Sequence, residues 1–159
     1  MNFGFSYVGV IYLLMLFIPN GFWVKYPPEG YRKISGNENK ILGFLELAGE
    51  ILVTAIVLSF SDFNIRISKW AFILLASFLL MVLYEFYWIR YFRSERKLKD
   101  FYTSICGIPL AGATLPVLAF FLLGIYGRNI FLTVSTVILG VGHIGIHANQ
   151  KVQSSVILC

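Results

Sequence analysis

Five apolar runs, each close to the length that crosses a bilayer, constrain this chain more than any other feature. They cover residues 3–24, 41–60, 70–92, 109–126 and 130–149. A hydrocarbon core ~30 Å thick needs about 20 residues of helix at ~1.5 Å each. Composition agrees with the spacing. Of 159 residues, 58% are hydrophobic and only 13% are charged, whereas soluble domains carry about a quarter charged. A soluble fold of this size has too little interior to hide so much apolar surface. The expected fold class is therefore all-α: a single integral membrane bundle of five transmembrane helices over residues 1–159, multi-pass in the cell membrane.

The net charge of +5 would also suit nucleic acid. The basic residues, however, fall in the gaps between apolar runs, not in a stripe interleaved with aromatics. That placement excludes nucleic acid and suits anionic lipid headgroups. Counting Lys and Arg sets the orientation. Lys25, Arg32, Lys33, Lys40, Arg90, Arg93, Arg96, Lys97, Lys99 and Lys151 fall on one side, and Arg66, Lys69 and Arg128 on the other. The ten-residue side is expected to be cytoplasmic, with the N-terminus outside and the C-terminus inside. Membrane lipids, including anionic headgroups at the cytoplasmic face, are then the expected surroundings.

Local signals refine the boundaries. The first run lacks preceding basic residues and a small-residue cleavage site, so it reads as a retained anchor. Pro19-Asn20-Gly21 predicts a bend or stop near its end. Asn37-Glu38-Asn39 offers a cap for the second run and Ser68 one for the third. Phe101 to Ile108 reads as an interfacial segment, and the chain beyond Asn149 as a polar, frayed tail. Cys106 and Cys159 form no CxxC and are expected to be free thiols on the cytoplasmic side.

The ionisable groups inside the spans point to function. They are Glu46 and Glu50 on the second run, Glu85 on the third, and His143 and His147 on the fifth. An isolated charge near the bilayer centre costs about 2.5–3.5 kcal/mol on insertion scales, so such groups pair, face the interior or lose their charge. The expected topology puts all five in the cytoplasmic half. Glu46 and Glu50 share a helix face at i, i+4, as do His143 and His147. Ser77, Met81, Tyr84, Glu85 and Trp88 form a third stripe, and Gly140, Gly142 and Gly145 let a neighbouring helix approach the histidines. One shared cluster is expected, walled by Tyr84 and Trp88, with Asn20 and Thr114 as further contributors.

That set suits a cation, a proton or a small ligand, and hence a carrier or sensor. His143, His147 and Glu50 are candidate ligands for a divalent transition metal. The pair His143-Ile144-Gly145-Ile146-His147 has zincin spacing but lacks the glutamate, so a metalloprotease is excluded. Five helices are few for an alternating-access carrier, and a homodimer would supply the missing half. Two other classes stay open. One is a membrane-embedded enzyme using a Glu/His acid–base pair on a lipophilic substrate; the other is a structural or accessory subunit whose polar residues hold helices together.

Overall fold

The computed structural model describes residues 1–36 and 38–157, and it is all-helical. The helices are α1 (Tyr7–Lys25), α2 (Tyr31–Ile34), α3 (Lys40–Ser59), α4 (Ala71–Arg93), α5 (Leu98–Phe101), α6 (Ala111–Gly127) and α7 (Ile130–Ile157). Four of them, α1, α3, α4 and α7, are long and apolar enough to cross a membrane. The fifth long helix, α6, is apolar but has 17 residues. It is also the most enclosed, with Leu115, Ala119 and Leu123 fully covered.

Capping accounts for several boundaries. The Ser6 side chain accepts a hydrogen bond from Gly9 N at 2.9 Å and starts α1. The chain before it is held in place, because Asn2 donates from its backbone N and its Nδ2 to the Asp62 carboxylate at 2.7 and 2.8 Å. The first helix therefore begins four residues later than the apolar run does. Asn39 accepts from Ile41 N at 2.8 Å at the start of α3. Asn37 and Cys159 lie outside the described residues.

Of the bend or stop expected near Pro19 the stop does not occur, and the frayed tail expected after Asn149 is helix instead. Helix α1 does not stop at Pro19 but continues through it to Lys25. A proline removes one backbone donor, and in an apolar bundle the rest of the helical ladder has no water to exchange with. The Asn20 side chain adds a bond back to the Leu16 carbonyl at 2.9 Å. Nor does the chain fray after Asn149, since α7 runs on to Ile157. Gln150 is buried there and is held by Tyr102 Oη at 3.0 Å and by Glu38 Oε1 at 2.8 Å. A polar residue with that many partners is part of the core.

The long helices close a ring. Helix α3 packs on α7, α7 on α6 and α6 on α4, and α1 touches both α3 and α4. The α3–α7 contact is backbone to backbone. A Cβ on Gly142 would stand 2.3 Å from Glu46 N, and one on Gly49 would stand 2.5 Å from Leu139 Cα. Only glycine permits that approach. Across the ring, Tyr12 Oη donates to Ser77 Oγ at 3.0 Å, and Ser77 Oγ donates to the Ala119 carbonyl at 2.7 Å.

One end of the ring carries the basic loops and is covered by α2 and α5. Tyr87 Oη reaches the Phe101 carbonyl at 2.7 Å, and Tyr91 Oη reaches the Tyr26 carbonyl at 3.1 Å. Each such bond contributes about 0.5–1.5 kcal/mol. Phe101 and Tyr102, expected at the interface, are buried against the bundle instead. Trp23 stacks on Phe101, with ring centroids 5.7 Å apart.

Candidate functional site

Beneath that cover lies a cavity of about 190 Å³. All five long helices line it: Asn20 from α1, Glu46 from α3, Tyr84 and Trp88 from α4, Pro116 from α6, and His143 with His147 from α7. The decisive contact crosses from α3 to α7, with His143 Nδ1 2.5 Å from Glu46 Oε1. The backbone contact at Gly142, one residue before His143, sets this distance. With the carboxylate accepting from Nδ1–H, the second ring nitrogen, Nε2, is left for a further partner. Both side chains are about a quarter exposed, at 25% and 23%, so the pair is accessible from the cavity.

His147 follows one turn later, its ring centroid 4.7 Å from that of His143. Tyr84 Oη accepts from Asn20 Nδ2 at 3.2 Å. Trp23 and Trp88 also line the cavity, and neither indole N–H has a hydrogen-bond partner among the described residues. The walls are thus largely aromatic, with spare donors beside an acid–imidazole pair. Such a surface accommodates a flat or cationic group that also carries an acceptor.

A second cavity of about 430 Å³ lies along the seam between α1 and α3. Leu16, Asn20, Pro116 and His143 line both cavities. The seam is otherwise apolar apart from Thr54 and Glu50, and Phe17 and Ile51 at its edge are exposed. Glu50 belongs to this seam rather than to the inner cavity. Four residues of helix advance ~400°, so Glu50 is turned about 40° from Glu46. Glu46, Glu50 and His143 each place one ligand atom so that all three atoms lie within 4.8 Å of one another.

The structure therefore brings together Glu46, Glu50, His143 and His147, with Tyr84 and Trp88 on the same inner wall. It does not bring in Glu85. That residue lines neither cavity, and its buried Oε1 has no hydrogen-bond partner among the described residues. It stands ~100° around α4 from Tyr84, away from the stripe of Ser77, Met81, Tyr84 and Trp88 that is buried. Thr114 is also absent from the site and donates to the Pro109 carbonyl at 2.8 Å. Of the candidate ligands His143, His147 and Glu50, the donor cluster among the described residues contains His143 and Glu50 together with Glu46, and not His147.

Sequence reasoning missed a polar layer beside the cavity. Gln150 bridges Tyr102, Glu38 and, at 3.4 Å, Tyr31. Its position carried a signal: 143, 147 and 150 continue one helical stripe at i, i+4, i+7. Tyr31 and Tyr102 sit on connecting segments and had none. Burial raises the Tyr31 phenol above its usual range against the pull of the Gln150 hydrogen bond, and Glu38 and Glu46 raise it further. Burial likewise raises Tyr102, with Tyr31 and Glu38 adding to it. Both phenols stay neutral at physiological pH, Tyr31 Oη accepting from Gln150 Nε2 and Tyr102 Oη donating to Gln150 Oε1.

No protein-family model, curated protein or solved structure matches the chain.

Proposed function

We propose that this chain is a five-span cell-membrane protein with its basic end in the cytoplasm and the segment before α1 outside. In this reading α6 is the fifth crossing, and the bundle binds a cation, a proton or a small ligand from the cytoplasmic half, as a carrier or sensor. The observation that carries it is the Glu46–His143 pair on the wall of an aromatic cavity enclosed by five helices. Placing acid and imidazole together at this depth, against a cost of about 2.5–3.5 kcal/mol for each isolated charge, supports a use beyond packing. The seam between α1 and α3 supplies a route from the bilayer to the same histidine.

The test uses the purified chain in nanodiscs, titrated with alkylammonium ions of increasing chain length. Trp23 and Trp88 line the cavity, so occupancy shifts tryptophan emission. Glu46→Gln and His143→Ala weaken binding, and Glu85→Gln does not. No emission change with any probe, together with no proton flux in proteoliposomes, would overturn the reading.

One observation favours a second reading, a membrane-embedded enzyme. Glu46 orients His143 through Nδ1 and leaves Nε2 for a substrate entering by the largely apolar seam, the arrangement of a general base with its positioning acid. Turnover of a lipid extract that Glu46→Gln abolishes would select it over the carrier.

A further inference from the structure

We infer that Glu46, Glu50 and His143 form a three-ligand site for one divalent transition-metal ion where the two cavities meet. The inference rests on the cavity reading above and names one occupant for it. Geometry is the first support. The three donor atoms lie within 4.8 Å of one another; ligand bonds of ~2.0–2.2 Å set tetrahedral donors about 3.4 Å apart, a spacing that small rotations of the three side chains reach. They come from two helices whose backbones touch at Gly142 and Glu46. The donor frame is thus set by close packing rather than by flexible loops.

Charge is the second support. Two carboxylates stand one turn apart with a single imidazole between them. Among the described residues no lysine or arginine pairs with either. A divalent ion, two carboxylates and a neutral imidazole sum to zero, which removes the like-charge repulsion and the uncompensated charge at the seam. A proton shared between Glu46 and His143 balances only one of the acids. The ion would take the place of that proton and use the same lone pairs.

Ligand type narrows the class. One nitrogen and two oxygens, with no thiolate in the cluster, suit zinc, iron(II) or manganese(II) rather than copper(I). Three protein ligands leave a position open, and His143 and Glu46 place it beside the aromatic cavity. The cluster lacks His147, which remains on the cavity wall one turn away.

The experiment is metal loading of the intact chain in detergent. Protein dialysed against a chelator is reloaded with Zn(II), or with Co(II) for its visible spectrum, and bound metal is measured by elemental analysis. One ion per chain is expected. Glu46→Gln, Glu50→Gln and His143→Ala each weaken loading by at least ~10-fold, the scale on which metal sites respond to damage, while His147→Ala retains it. Helical circular dichroism of the near-isosteric Glu50→Gln variant separates ligand loss from unfolding. Less than stoichiometric metal in the wild type, or loading that survives all three substitutions, overturns the inference. Alkylammonium binding by the chelated protein is scored separately. If it persists while metal loading fails, the ligand-binding reading stands and the metal site falls.

Discussion

Replacing Gly142 with alanine tests the packing that builds the site. The new Cβ would meet Glu46 N at 2.3 Å, the Leu42 carbonyl oxygen at 2.7 Å and Glu46 Cα at 2.8 Å. All three are backbone atoms of α3, so no side-chain rotation relieves the clash. Non-bonded heavy atoms rest at ~3.5–4.0 Å, and α3 and α7 must therefore part by about 1 Å or more. Overpacking of this kind costs about 1–3 kcal/mol. The upper half of that range applies here, less the ~1 kcal/mol by which alanine favours helix over glycine. The same displacement stretches the 2.5 Å Glu46–His143 contact to about 3.5 Å, beyond a useful hydrogen bond. Gly142→Ala should thus lower stability by about 1–2 kcal/mol and weaken ligand or metal binding at His143. Gly43→Ala, on the same α3 with nothing among the described residues within 4 Å of its Cβ, is the control and should be neutral or slightly stabilising. Reversible unfolding in detergent measures both. If Gly142→Ala matches Gly43→Ala in stability and in binding, the close α3–α7 contact is not what holds the pair.

Other perturbations probe separate parts of the bundle. Gln150→Leu removes the partner of Tyr102 and Glu38; it should cost about 1–3 kcal/mol and speed amide exchange over residues 148–155. Asp62→Ala frees Asn2 from its two bonds, and exchange in the segment before α1 should rise while binding at His143 stays unchanged. Glu85→Leu replaces a carboxylate whose buried oxygen lacks a partner among the described residues, so the melting temperature should rise and alkylammonium affinity should hold; a loss of affinity would return Glu85 to the site. Cys106 is exposed at the basic end. In a Cys159→Ser background a membrane-impermeant maleimide should therefore label it in inverted vesicles and not in intact cells, with the Cys106→Ser/Cys159→Ser double variant as the blank, and labelling in intact cells would reverse the proposed orientation.

The helices themselves were legible in the residues, because run length and hydrophobicity are properties of a segment taken alone. Asn39 caps where a short polar side chain before an apolar run should, whereas Ser68 binds Trp70 N in the turn ahead of α4, whose N-cap is Trp70 with no side-chain cap bond. The i, i+4 pairs on α3 and α7 could likewise be read as faces. What no single segment contains is the rotation of each helix about its own axis and the identity of its neighbour. Those follow from where glycine lets backbones touch, and they join Glu46 to His143 across 97 residues while leaving Glu85 aside. Pro19 and Gln150 were misjudged for the same reason. A proline inside a helix and a glutamine after one look like endings until the surrounding bundle removes the water and supplies the hydrogen bonds.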